Sequence, residues 1–147
     1  MRTDAHRRAA KVALAVYAVF LAFVLLNPSA DVPSSSVTWL ADGAARLGLP
    51  GPLVVPSRVE FIANVLILVP VSFLGSVLLP RLDWRDWTAY GFVLSGTVEL
   101  VQALLLPERS ATFADVVANT SGALIGAIAF TLAERAAERF RYGRARR

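Results

Sequence analysis

Residues 99–126 read ELVQALLLPERSATFADVVANTSGALIG. An apolar stretch ends at Leu106, a short polar turn follows, and a second apolar stretch opens at Phe113. Within 21 residues this segment carries Glu99, Gln102, Arg109, Asp115 and Asn119. That is a carboxylate, an amide, a guanidinium, a second carboxylate and a second amide, set in a chain otherwise suited to lipid. Ionisable groups in membrane spans are costly and survive facing a partner or a function. The segment therefore predicts a helix hairpin in a membrane with a polar site at its turn.

Working outward, the 147 residues are 56% hydrophobic, with a mean hydropathy of +0.56. The apolar residues fall in long blocks instead of amphipathic patterns, which excludes an ordinary soluble domain. A span needs about 20 mainly apolar residues to cross a core roughly 30 Å thick. Four stretches qualify, at 9–27, 59–79, 87–106 and 113–133. The predicted fold is an all-α membrane protein with four transmembrane helices, forming a single membrane domain over 1–147.

Twelve of the 15 basic residues lie before or at the start of the first span, between the second and third, or after the fourth. Arg46, Arg58 and Arg109 are the others. This bias predicts both termini in the cytoplasm of a multi-pass cell-membrane protein. It also explains the net charge of +4 without nucleic acid as a partner. The basic tails are expected to touch anionic head groups. With no cysteine, disulfides, zinc-thiolate sites and iron–sulfur clusters are excluded. The one histidine, His6, reads as a surface residue among arginines, so neither zinc, haem nor a Ser-His-Asp mechanism is expected. The first span has features of a cleaved signal peptide, but a retained anchor is expected because cleavage would disturb the charge asymmetry.

Between the first two spans, Ser34-Ser35-Ser36 are placed to cap a helix. Val37, Leu40, Ala44 and Leu47 recur at helical spacing, predicting a short amphipathic helix on the outer surface with Trp39 as an interface anchor. The Gly/Pro-rich segment Gly48–Pro56 reads as a connecting loop or a lid. Pro70 should kink the second span. Pro80–Asp86 reads as a tight hairpin with Trp84 and Trp87 at the interface. Gly122 and Gly126, with Ala118 before them, form a small-residue stripe for close helix approach. After Ala133 the helix is expected to continue to about Gly143.

Counting about 1.5 Å per residue from the outer helix ends puts Asn64, Glu99 and Asn119 in one layer, roughly 8–10 Å deep. Glu60, Gln102 and Asp115 form a second layer nearer the surface, with Arg58 and Arg109 at the rim. The pairs Glu60/Asn64, Glu99/Gln102 and Asp115/Asn119 each share a helix face. Simpler roles exist for each. Thr112 and Asp115 fit a capping box; Arg109 fits a structural salt bridge; Asn64 and Asn119 fit helix-joining hydrogen bonds. Glu99 is hardest to assign a passive role, because a carboxylate that deep must be paired, protonated or solvated. Oxygen ligands without His or Cys would suit Mg²⁺ or Ca²⁺.

The order Asn64, Pro70, Glu99-x-x-Gln102, Arg109-Ser-Ala-Thr-Phe-Ala-Asp115 and Asn119-x-x-Gly122-x-x-x-Gly126 resembles the VanZ-like family of small bacterial membrane proteins. The resemblance covers a core of about 59–133. It implies a four-helix membrane fold, a link to teicoplanin resistance, and membrane lipids or lipid-linked cell-envelope precursors as partners. Two functions follow as expectations. One is binding such a lipid at an outer-leaflet pocket through Asn64, Gln102, Asn119 and Arg109. The other is transfer or hydrolysis of a lipid phosphate head group. There Glu99 or Asp115 would be the general base and Arg109 would stabilise phosphate charge.

Overall fold

The computed structural model describes residues 4–26, 31–105 and 112–145, all helix or turn. Five helices follow in order: α1 (Asp4–Leu26), α2 (Asp31–Arg46), α3 (Pro56–Leu78), α4 (Trp84–Leu105) and α5 (Phe113–Ala145). The boundaries track the apolar blocks to within a few residues. Among the described residues three helices are long and apolar enough to cross a membrane: Pro56–Leu78, Trp84–Leu105 and Phe113–Phe140. α1, the remaining stretch expected to span, is one helix of 23 residues. α5 runs on past Gly143, because Ala, Glu and Arg after Leu132 are good helix formers.

α2 begins at Asp31, before the three serines, so they lie inside the helix and do not cap it. Pro33 is tolerated there because the first-turn N–H groups have no helical acceptor in any case. The helix ends in a Schellman closure: Gly48 at φ +79° donates to Ala45 O at 3.0 Å and Leu49 to Ala44 O at 3.2 Å. Only glycine adopts that φ cheaply. The chain then forms a 3₁₀ turn at Gly51–Leu53, and Arg58 donates back to Pro52 O at 2.7 Å.

α5 is the axis of the bundle, with α3 along one side and α4 along another, while α1 and α2 lie against α3. The α3–α5 seam depends on missing side chains. A Cβ on Gly122 would collide with Val65 O, and one on Gly126 with Val69 O and Ser72 Oγ. The expected stripe is therefore a backbone-to-backbone contact, with Ala118 fully buried beside it. Phe73 and Phe130 close its far end edge-to-face, their centroids 5.8 Å apart. On the other side, a Cβ on Gly91 of α4 would come within 2.5 Å of Ala123 Cβ.

Outward faces are apolar. Val12, Val16, Val19 and Phe23 on α1 are each 65–72% exposed, a surface that only lipid or a partner would cover. α3 continues through Pro70. Proline withdraws the donor for Leu66 O and disturbs the adjacent carbonyls. One of these, Ile67 O, accepts from Tyr17 Oη of α1 at 2.9 Å. A neighbouring helix thus supplies a donor beside the break, as membrane helices with internal proline require.

A reciprocal cap at the α3–α4 connection starts α4. Asp83 Oδ1 accepts from Arg85 N at 2.7 Å and Asp86 N at 3.3 Å. Asp83 N in turn donates to Asp86 Oδ2 at 2.9 Å. These backbone donors hold the exposed Asp83 carboxyl below its ordinary value, with the Arg85 charge adding to the effect.

Candidate functional site

The polar residues gather at the N-terminus of α5. Like any helix start it presents N–H groups without helical acceptors. Thr112 Oγ1 accepts from Asp115 N at 3.2 Å, half of a capping box. In the usual box the third-residue carboxylate would return to the N–H of the cap. Here Glu99 of α4 takes that place: its Oε2 accepts from Thr112 N at 2.8 Å. Asp115 is thereby released for other partners. Its Oδ2 accepts from Thr112 Oγ1 at 2.7 Å, and its Oδ1 from Asn64 Nδ2 of α3 at 2.5 Å. One run of hydrogen bonds, Glu99–Thr112–Asp115–Asn64, joins three helices.

Of the residues singled out in the sequence, Glu99, Asp115 and Asn64 are brought together. Gln102, one turn from Glu99 on the same face of α4, is buried at 5% exposure. Asn119 lies one turn beyond Asp115 along α5 and is also buried, at 9%. Its Oδ1 is enclosed without a hydrogen-bond partner among the described residues. Such an acceptor left unmade costs roughly 1–3 kcal/mol. Glu60 and Arg58 are exposed at the margin. Arg109 lies outside the described residues.

Asn64 reaches Asp115, one turn nearer the start of α5 than Asn119. The Gly122–Val65 and Gly126–Val69 contacts hold α3 against α5, and side chains lean toward their own N-termini. Thr112 itself carries more of the network than the sequence suggested; the T-x-x-D spacing was the available signal.

As a metal centre the donor set is poor. Both Asp115 oxygens already accept hydrogen bonds. Among the described residues no three His, Asp or Glu side chains cluster to hold an ion. What the arrangement offers is a hydrogen-bonding cluster of paired carboxylates, with an enclosed, unpaired carboxamide oxygen one turn further along α5.

A bundle of long apolar helices, with polar groups turned inward at one end, defines a small α-helical membrane protein. A family model described as VanZ/LLP1 matches residues 12–134. The chain belongs to that family, and the match reaches back over α1 and α2, beyond the core of about 59–133 that carried the resemblance. No curated protein and no solved structure matches the chain.

Proposed function

We propose that this VanZ-family protein binds a lipid or lipid-linked cell-envelope precursor in a recess formed by the polar cluster at the α5 N-terminus. In this reading α1 is a fourth span, both termini are cytoplasmic, and the recess faces the outer leaflet. The observation that carries it is the enclosed, partnerless Oδ1 of Asn119, set below a polar network whose own members are largely paired. A buried acceptor of that kind is matched by a hydroxyl or N–H donor of a head group. Gln102 and Arg109 would complete the contact from α4 and from the turn. An effect on teicoplanin susceptibility follows if the ligand is an envelope precursor.

Binding is preferred to head-group transfer because three of the four carboxylate oxygens of Glu99 and Asp115 already accept hydrogen bonds. Both acids thus serve to hold three helices together, a structural use that favours binding.

The test compares wild type, Asn119→Leu and Glu99→Gln, purified in mild detergent, by mass spectrometry of retained lipids and of head-group products. Binding predicts that Asn119→Leu loses retained lipid by about tenfold, with helicity unchanged and no products from any variant. Head-group turnover by wild type that disappears in Glu99→Gln would replace binding with catalysis. Equal retention by all three proteins would remove the recess from the account.

A further inference from the structure

We infer that the opposite end of the bundle, at the α3–α4 turn, holds an anionic membrane lipid. Its phosphate lies on the basic face of α1 and one hydrocarbon chain lies in the groove between α3 and α4. The site is independent of the recess proposed above: it uses other residues at the other end.

The groove is a cavity of about 340 Å³ walled by Leu68 and Val71 of α3 and by Trp87 and Leu94 of α4, with Ala123 of α5 at its base. It exists because α3 and α4 both pack on α5 and hardly on each other. At one end the Trp87 ring rests on Gly75, where a Cβ would strike the indole. From Trp87 the groove runs to Thr97, ten residues or roughly 15 Å along a helix. That is about half of a hydrocarbon core roughly 30 Å thick, the share of one leaflet. Trp87 Nε1 is enclosed without an acceptor among the described residues. It marks the groove's end nearest the membrane surface, where a lipid carries its ester oxygens.

Beside it, one exposed face of α1 carries Asp4, Arg7, Arg8 and Lys11 around an open hollow of about 370 Å³, three cations against one anion. Arg7 is fixed there by donating to Leu78 O at 3.2 Å, the carbonyl end of α3. Leu78 is one turn from Gly75, the seat of Trp87. The cationic face and the mouth of the apolar groove are therefore neighbours at one end of the bundle. A free anion would satisfy the first and leave the second empty; an uncharged lipid would do the reverse. A phosphate-bearing amphiphile fits both, and basic pockets at membrane surfaces take such head groups.

The test uses the full chain in nanodiscs containing phosphatidylglycerol or phosphatidylcholine of identical acyl chains, with a trace of each carrying a photoreactive diazirine on one chain. Cross-links from phosphatidylglycerol are expected on the groove residues of α4. Per exposed area they should exceed those on the outward face of α1 (Val12, Val16, Val19) by about tenfold. Arg8→Gln with Lys11→Gln should bring groove labelling by phosphatidylglycerol down to the phosphatidylcholine level; Arg7 is left intact because it closes α3. Val93→Trp and Leu94→Trp, each at a position more than half exposed, should block the groove while leaving helicity and α1 labelling unchanged. Excess inorganic phosphate should not displace the lipid. Uniform labelling of groove and α1, indifference to head-group charge, or displacement by inorganic phosphate would each overturn the inference. None of these outcomes touches lipid retention through Asn119.

Discussion

The two ends of the bundle use polarity in opposite ways. At the α5 N-terminus the polar groups face inward. Glu99 and Asp115 accept from a backbone N–H, a hydroxyl and a carboxamide, so α3, α4 and α5 are joined by hydrogen bonds between helices. At the α3–α4 turn the charges face outward. Asp83, Arg85, Arg7, Arg8 and Lys11 are exposed, the capping bonds are local to the turn, and the interior is an apolar groove. The difference teaches that one end uses its polar groups to join helices, whereas the other presents charge beside hydrocarbon. Both depend on the same α3–α5 seam, which holds α3 so close to α5 at one side that α4 is left apart from it.

Breaking the seam should erase the distinction, and this is the largest effect expected. Gly126→Leu must displace the Val69 carbonyl and Ser72, as overpacking against backbone. A loss of about 3 kcal/mol or more is expected, read as early unfolding in a detergent titration. Next comes the inward end. Asp115→Ala strands Asn64 Nδ2 and the Thr112 hydroxyl and should cost about 2 kcal/mol. A double-mutant cycle with Asn64→Ala should return a coupling of about 1 kcal/mol; additive losses would mean that the pair does not join α3 to α5. Smaller again is Tyr17→Phe, which removes the donor to Ile67 O beside Pro70 and should cost about 0.6 kcal/mol.

The smallest effect sharpens the outward end. The Asp83 carboxyl is lowered by backbone donors, so its contribution is present above the unfolded value of about 3.9. It fades as the pH falls through the lower folded value. Asp83→Asn should flatten that acid limb of the stability profile and leave neutral-pH lipid retention unchanged. An unaltered acid limb would remove Asp83 as a titrating cap.

Much of this was readable from the chain. The long apolar blocks fixed three of the helices to within a few residues. Gly122 and Gly126 announced a close approach because small residues four apart line one helix face, and Thr112-x-x-Asp115 announced a cap. The capping pair Asp83 and Asp86 had a comparable D-x-x-D signal, although the segment reads first as a hairpin anchored by tryptophans. Other features were hidden by their nature. That Glu99 caps Thr112 depends on how a turn folds thirteen residues back, and no periodicity records it. That Asn64 meets Asp115 instead of Asn119 depends on which way each side chain leans across the α3–α5 contact, and no spacing in the sequence records it. The groove arises from a distance between α3 and α4, a property of neither sequence alone.

The account stands on the inward-polar end facing outside the cell and the basic end facing the cytoplasm. Because the chain has no cysteine, single cysteines report this without background. With a membrane-impermeant maleimide on intact cells, Thr38→Cys on α2 should label at once, and Ala137→Cys near the end of α5 only after permeabilisation. The reverse pattern, or labelling of both positions in intact cells, would contradict the account.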